Sequence, residues 1–199
     1  MITYLIIAVT CVVSYICFGN QSMANKLALS PYQVVHRKEW YRVVSHGFVH
    51  ADMTHLLVNM FTYWSFGTYM EQYYQYAGLG ILGYLLLYFG GMIFASSLDL
   101  SKHKDNPYYL SIGASGAVSA VLFSSIFFNP WGKIYFFAIL PIPGIVFGII
   151  YLYYCQYMAK KAGDHINHNA HFLGALFGFL LPVLLKPSLI NVFIDALLG

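Results

Sequence analysis

Charged side chains are scarce in this chain. Asp, Glu, Lys and Arg make up 9% of its 199 residues, whereas apolar residues make up 59%. Soluble proteins carry about 25% charged residues. A chain this poor in charge cannot cover a water-facing surface with polar groups, so lipid must be its outer solvent. The apolar runs are long and continuous, which favours membrane-spanning helices over the short alternating segments of a barrel.

Signals for a disulfide framework, a metal site or a nucleic-acid surface are also lacking. The three cysteines lie in apolar stretches without metal-ligand spacing, so we expect Cys11, Cys17 and Cys155 to be packing residues. The HExxH pattern of zinc proteases does not occur. The ten Lys and Arg residues are scattered and form no basic run. We therefore expect no cofactor, no metal and no nucleic-acid partner.

Six apolar runs of roughly 20 residues predict an all-α membrane protein with six transmembrane helices. The runs cover 2–19, 51–70, 78–98, 113–128, 134–157 and 169–186. One compact bundle accounts for this length, so we expect residues 1–199 to form a single membrane domain. Pro141 and Pro143 fall within the fifth run and predict a kinked helix there. Tyrosines near the run ends, including Tyr74 and Tyr151, are expected in an interfacial belt.

Polar residues inside apolar segments are the most informative feature. In hydrocarbon they are costly, and they usually face a bundle interior or a water-filled cavity. Four of them, His46, His50, His55 and Asn59, surround the start of the second run. His55 and Asn59 are four residues apart, so they share one helix face and can donate hydrogen bonds to a single oxygen. Hydrogen bonding between helices is the alternative interpretation.

A serine between glycines opens the fourth run. Ser115 lies between Gly113 and Gly116, and glycine permits an unusual turn before a helix. The N-terminus of a helix leaves backbone N–H groups unpaired and available to a developing anion. The alternative is that these small residues serve only helix packing.

The sixth run carries His171 at its start. Gly174 and Gly178 follow on one helix face, in the small-xxx-small pattern that lets two helices approach closely. Docking of this face against the small residues of the fourth run would bring His171 next to Ser115.

Ser115 and His171 together could hydrolyse a peptide bond. A serine hydroxyl is a weak nucleophile unless a neutral imidazole accepts its proton, and the same imidazole can later protonate the leaving amine. We expect the oxyanion to be held by the Ser115 N–H together with the side chains of His55 and Asn59. No Asp or Glu lies in the interior of a predicted run, since Asp52 and Glu71 are at the ends of the second and Asp195 is past the sixth. We therefore predict a Ser–His dyad without a carboxylate.

In order and spacing, these residues resemble the rhomboid intramembrane serine proteases over nearly the whole chain. The matching positions are Trp40, Arg42, His50, His55, Asn59, Glu71, the GASG sequence at 113–116, Ala170, His171, Gly174 and Gly178. Each piece is unspecific alone, but their joint order across several loops and spans is a strong signal.

The resemblance implies a six-helix core with the serine at the head of a short fourth helix. Ser115 would be the nucleophile and His171 the base, with His55 and Asn59 at the oxyanion site. His50 would belong to the hydrogen-bonded surroundings of the site.

The resemblance also implies roles outside the site. Arg42 and Glu71 would be structural residues that hold the loop between the first two spans. Substrates would be single-span transmembrane proteins, with the fifth helix and the loop at 158–168 gating their access from the lipid bilayer. An integral, multi-pass location is implied, and we expect the plasma membrane. Many family members carry a tyrosine one turn after the serine, where this chain has Ser119, so we expect another aromatic residue to position His171.

Two alternatives from other classes stay open at this point. Eight histidines suit a metal-binding membrane transporter or a site-2-type metalloprotease, although few acidic residues accompany them. A proteolytically inactive relative that binds membrane helices would have the same fold, although the intact set of Ser, His and Asn residues argues against it.

Overall fold

A computed structural model describes residues 1–136, 139–161 and 166–199. Its helices in chain order are α1 (Ile2–Phe18), α2 (Gln21–Leu27), α3 (Pro31–Arg37), α4 (Arg42–Ser45), α5 (Met53–Tyr76), α6 (Gly80–Leu85), α7 (Gly91–Lys102), α8 (Ser115–Phe128), α9 (Gly144–Lys161), α10 (His168–Leu185) and α11 (Leu189–Leu198). A 3₁₀ turn, His46–Phe48, follows α4, and a π-helical stretch, Leu86–Gly90, joins α6 to α7. The strands β1 (Lys133–Phe136) and β2 (Leu140–Pro143) form an antiparallel hairpin between α8 and α9.

Each of the six predicted runs contains a helix. Among the described residues, two helices are long and apolar enough to cross a membrane: Gly80–Lys102, with a mean hydropathy of 1.8, and His168–Leu185, with 1.5. The helices α1, α8 and α11 are apolar but shorter. The fold is therefore a helical bundle of the kind that lipid requires, since helices satisfy their own backbone hydrogen bonds.

The start of the fifth run differs from the prediction. Pro141 and Pro143 do not kink a helix: they lie in β2, where they pair with Tyr135 and Lys133 of β1. Proline lacks the N–H that a helix interior needs and disfavours helical backbone at the residue before it. The helix α9 therefore begins only at Gly144, after both prolines. Apart from this two-stranded hairpin, the regular elements of the described residues are helical, in agreement with the expected helical class.

The last helix, α11, lies beyond the six predicted runs. It packs on α8 through Phe193, whose ring stacks on Phe127 with centroids 5.2 Å apart. The indole N–H of Trp131 donates to the carbonyl oxygen of Leu197 at 3.0 Å. These contacts fix α11 against the end of α8 and the segment that follows it.

Arg42 holds the segment between α1 and α5 together, as the resemblance implied. Its side chain is buried, with Nη1 donating to the carbonyl oxygens of Asn25 and Ala28 at 2.8 Å each. Its Nε donates to Glu39 Oε2 at 2.6 Å, and this hydrogen bond lowers the pKa of the Glu39 carboxyl group. The short helices α2 and α4 are thereby joined through one guanidinium group.

Glu71 has a different structural role from the one implied. It lies inside α5 and accepts hydrogen bonds from the N–H of Ile2 at 2.8 Å, the N–H of Thr3 at 2.9 Å and the Thr3 hydroxyl at 2.6 Å. The first N–H groups of a helix have no partner within it, and Glu71 supplies one for α1. It therefore fixes the start of α1 to α5 and does not hold the loop between these helices.

The helix α8 is the centre of the bundle. All its residues from Gly116 to Phe128 are buried, against α5, α7 and α10 among others. Tyr74 of α5 is fully buried, and its hydroxyl lies 2.9 Å from Ser124 Oγ of α8. The hydroxyl of Tyr74 therefore has a polar partner inside the bundle, and its expected position at the membrane interface stays a prediction.

Candidate active site

Ser115 is the first residue of α8, and the turn before it has an unusual backbone. Gly113 has a φ of 120°, which side-chain-bearing residues rarely adopt. The N–H of Gly113 donates to the carbonyl oxygen of His46 at 3.0 Å, which fixes the turn to the segment before α5. A residue in the first helical position has no acceptor for its N–H within the helix. The predicted turn and the predicted helix start at Ser115 are both present.

His50 connects this turn to α1. Its Nε2 accepts a hydrogen bond from the N–H of Ala114 at 3.4 Å, and its Nδ1 lies 2.9 Å from Ser14 Oγ. Because Nε2 accepts, Nδ1 carries the proton of the neutral ring and donates to Ser14. The Ser14 hydroxyl donates in turn to the carbonyl oxygen of Phe48 at 2.9 Å. Burial lowers the pKa of His50 to about 3, so this neutral form persists at physiological pH.

His55 and Asn59 lie on the face of α5 beside the turn. A Cβ on Gly113 would lie only 2.8 Å from Cε1 of His55, so the His55 ring covers the backbone of the turn. The rings of His50 and His55 meet edge to face, with centroids 4.9 Å apart. Asn59 is buried one helical turn further along, and its Nδ2 donates to the carbonyl oxygen of His55 at 2.9 Å. To reach an oxyanion, this amide would exchange that partner.

The helices α8 and α10 dock through their smallest residues. A Cβ on Gly174 would overlap the carbonyl oxygen of Gly116, and a Cβ on Gly178 would overlap the carbonyl oxygen of Ala120. Only a residue without a side chain fits at either position of α10. The close approach predicted from the glycine spacing is therefore confirmed.

This docking continues to the N-terminal ends of both helices. The carbonyl oxygen of Ala170 lies 3.6 Å from the position that a Cβ on Gly116 would take. Ala170 directly precedes His171, and Gly116 directly follows Ser115. The two predicted catalytic residues are thus the chain neighbours of Ala170 and Gly116, which lie beside each other where the two helices meet. Ser115 and His171 are of intermediate burial, whereas Gly116 and Gly174 are buried.

Tyr151 of α9 lies against the His171 ring. The ring centroids are 6.3 Å apart and the ring planes differ by 17°. The Tyr151 hydroxyl lies 2.8 Å from Ser119 Oγ. The aromatic residue expected beside His171 therefore comes from α9, and Ser119 of α8 holds its hydroxyl. The belt position expected for Tyr151 stays a prediction, and its sequence context did not indicate the contact with His171.

A buried carboxyl group, missed by the sequence reasoning, supports the start of α10. Asp99 lies in α7, just beyond the third predicted run, and is 4% exposed. Like Glu71, it lies one residue beyond a predicted run but inside the helix that the structure shows. Asp99 Oδ2 accepts from Nδ2 of Asn167 at 2.5 Å, and Asn167 Oδ1 accepts from the N–H of Ala170 at 3.0 Å. Asp99 thereby orients the amide that caps the helix carrying His171.

In the part of the chain that the structure describes, one group of side chains has the composition of a metal site. Cys155, His168 and His171 each offer one ligand atom, and these atoms all lie within 4.8 Å of one another. Cys155 comes from α9, whereas both histidines lie in the first turn of α10. The sequence spacing did not indicate this group, because the cysteine reaches the histidines only through helix packing.

The loop expected to gate substrate access is described only at its two ends. The helix α9 ends at Lys161 and α10 begins at His168, while residues 162–165 lie outside the described residues. The gating role stays a prediction.

Comparison with known proteins gives one consistent result. A family described as Rhomboid domain matches residues 37–188, which include every candidate site residue. RHOMBOID-like protein 4 of Arabidopsis thaliana is 33% identical over 160 residues, which cover 78% of this chain and 37% of that protein. RHOMBOID-like protein 12, mitochondrial, of the same plant is 26% identical over 173 residues, covering 79% of this chain and 50% of that protein.

A fungal protein gives a similar match. Rhomboid protein 1, mitochondrial, of Saccharomyces cerevisiae is 29% identical over 144 residues, which cover 69% of this chain and 40% of that protein. The chain therefore spans half or less of the length of these relatives. Since two of the three are named as mitochondrial, the expected plasma-membrane location is not supported, whereas an integral membrane location is.

Proposed function

The chain belongs to the rhomboid family, and on this premise we propose that it is an intramembrane serine protease. Ser115 is the nucleophile, His171 is the general base, and the substrates are single-span transmembrane proteins. The observation that supports this most is the docking of α10 on the first turn of α8, where a Cβ on Gly174 would overlap the carbonyl oxygen of Gly116. It leaves the two reactive residues on neighbouring turns of helices that cannot move apart without breaking a tight interface.

The proposed reaction follows from these residues. Ser115 Oγ attacks the scissile carbonyl carbon while its proton passes to the neutral imidazole of His171. The carbonyl oxygen becomes an oxyanion, which accepts hydrogen bonds from the Ser115 N–H and from the side chains of His55 and Asn59. The imidazolium then protonates the leaving amine as the C–N bond breaks, which leaves an acyl ester on Ser115. Water attacks this ester, with His171 taking its proton and returning it to Ser115 Oγ.

Several residues act on this reaction through others. Tyr151 fixes the plane of the His171 ring, and Asn167 with Asp99 fixes the first turn of α10. His50 supports the turn before the serine through the N–H of Ala114. These are positioning residues, because they act through the catalytic residues and not on the substrate.

Six spans in a single domain, 1–199, complete the proposal. The spans are α1, α5, 80–102, α8, α9 and α10. The 14 residues of α8 rise about 21 Å at 1.5 Å per residue, which is less than the roughly 30 Å of a hydrocarbon core. If α8 ends at one membrane face, Ser115 lies below the other. Water must then reach it through a cavity among the helices, which the non-helical turn at Gly113 suits.

Reconstitution in liposomes tests the proposal. The purified chain is incubated with a panel of single-span reporter proteins, and cleavage is followed by gel and mass spectrometry. Wild type should cut at least one reporter and should be labelled by a fluorophosphonate at Ser115, whereas Ser115→Ala and His171→Ala should do neither. Ser125→Ala is the matched control, because this hydroxyl donates to the carbonyl oxygen of Leu122 in its own helix at 2.6 Å. Cleavage by Ser115→Ala would end the proposal.

The same assay separates the two other classes. A metal-dependent protease would lose its activity in a chelator and would not react with the fluorophosphonate. An inactive relative would bind reporter helices without cutting them in any variant.

A further inference from the structure

The cluster of Cys155, His168 and His171 lies next to the proposed catalytic base and includes it. His168 and His171 are three residues apart on α10, so their side chains share one helix face. Cys155 lies one turn after Tyr151 on α9, so the face of α9 that contacts His171 also presents the thiol. Cys155 is 1% exposed and His168 4% exposed. The three side chains therefore converge inside the helix interface and not on the lipid-facing surface.

The spacing of these atoms is close to that of a zinc site. Tetrahedral Zn²⁺ holds a thiolate sulfur at ~2.3 Å and an imidazole nitrogen at ~2.0–2.1 Å, so its ligand atoms lie roughly 3.4–3.6 Å apart. The ligand atoms of Cys155, His168 and His171 lie within 4.8 Å of one another. A closure of about 1 Å, which side-chain rotation can supply, would complete the geometry.

We infer that Cys155, His168 and His171 bind Zn²⁺, and that the bound ion switches off the protease. The inhibitory half of this inference rests on the proposed function, while the binding half does not. One thiolate and two imidazoles suit a borderline-soft ion such as Zn²⁺, whereas Mg²⁺ and Ca²⁺ require oxygen ligands. Three protein ligands leave a fourth position of the tetrahedron for water.

Inhibition follows from the chemistry of the imidazole ring. A neutral ring has one nitrogen that accepts and one that carries a proton. Once Zn²⁺ occupies the lone pair of the accepting nitrogen of His171, the other nitrogen is an N–H donor. The ring can then take no proton from Ser115, whichever nitrogen holds the ion. Binding releases the thiol proton of Cys155 to water, and the two histidines bind as neutral rings.

The ligands can be removed without touching the proposed catalytic residues. Cys155→Ala and His168→Ala each delete one ligand and leave both Ser115 and His171 in place. Loss of an outer-shell partner alone costs ~10–100-fold in metal affinity, so loss of a direct ligand should weaken binding by more than about 100-fold. Cys17→Ala is the matched control, since Cys17 is a buried cysteine of α1.

Binding is measured with Co²⁺, which replaces Zn²⁺ in tetrahedral sites and gives visible absorption together with a thiolate charge-transfer band. The full-length chain in detergent should show both bands, and added Zn²⁺ should abolish them. Cys17→Ala should behave as wild type, whereas Cys155→Ala and His168→Ala should lose the bands. Absence of the charge-transfer band in wild type, or its persistence in Cys155→Ala, overturns the site.

Regulation is measured separately, by reporter cleavage in liposomes at buffered Zn²⁺ concentrations. Zn²⁺ should stop cleavage by wild type and Cys17→Ala, a chelator should restore it, and Cys155→Ala should cleave at the metal-free rate at all concentrations. A wild type that binds Co²⁺ but cleaves equally with and without Zn²⁺ overturns the regulatory inference and leaves the proposed function intact. If the chain binds Co²⁺ but cleaves no reporter, the proposed function fails and the regulatory inference fails with it. The metal site then still stands.

Discussion

Gly174→Ala is the substitution that tests the helix interface most directly. The added methyl carbon would overlap the carbonyl oxygen of Gly116, which is part of the backbone and cannot rotate away. Non-bonded carbon atoms prefer separations of about 3.5–4.0 Å, so α10 must move away from α8 by more than about 1 Å at this point. His171 lies one turn earlier on the same helix and moves with it. Misplacement of a catalytic group by about 1 Å can cost ~10²-fold in rate.

The expected result is a fall of about 100-fold in kcat/KM for reporter cleavage, together with a lower Tm in detergent. Alanine is intrinsically a better helix former than glycine by roughly 0.5–1 kcal/mol, so a lower Tm would have to come from the interface. Gly148→Ala in α9 is the matched control, because its Cβ would meet Ile126 and Phe123 at 3.4 Å, an ordinary contact. Wild-type kcat/KM and Tm for Gly174→Ala would refute the docking argument.

Three further predictions concern single side chains. Asn59→Ala should lower kcat by ~10²–10³-fold without unfolding the chain, since one oxyanion donor is lost, and an unchanged kcat would contradict its role. Tyr151→Phe retains the ring against His171 and should keep more kcat than Tyr151→Ala, so equal losses would argue against positioning by the ring. Burial lowers the pKa of His50 from 6.5 to about 3, so the unfolded chain binds more protons than the folded chain between these values. Tm should therefore fall as the pH drops below about 6.5. His50→Gln should reduce this dependence without removing it, because burial also lowers the pKa of His46, to about 4. A wild-type Tm that is constant from about pH 8 to about pH 5 would contradict the prediction.

The features that were predictable are those that lipid imposes on a chain. Hydrocarbon requires long apolar helices, and close helix packing requires small residues at fixed spacing. The helix start at Ser115 and the docking of Gly174 and Gly178 follow from these two constraints. The absence of a helix at Pro141 and Pro143 was also predictable, because two prolines so close together disfavour helical backbone. The apolar composition of the run favoured a kinked helix instead.

The contacts that escaped prediction join residues far apart in the chain. Tyr151 with His171, and Asp99 with Asn167, depend on which faces of separate helices meet. Periodicity within one run does not specify the rotation of its helix against a neighbour in another run. The loop-holding role implied for Glu71 was wrong for the same reason, since its position just past the end of a run did not show which chain segment lies beside it.

The attachment of α1 has a consequence for any shortened version of this protein. The matched family region begins at residue 37, yet the carboxyl group of Glu71 within that region is satisfied by Ile2 and Thr3, which lie outside it. A fragment cut to the matched boundaries would retain an acidic group in the bundle with its three donors deleted, and exposing such a group to lipid is costly. The 17-residue helix α1 is therefore an integral part of the fold. A minimal catalytic fragment should be designed to include it.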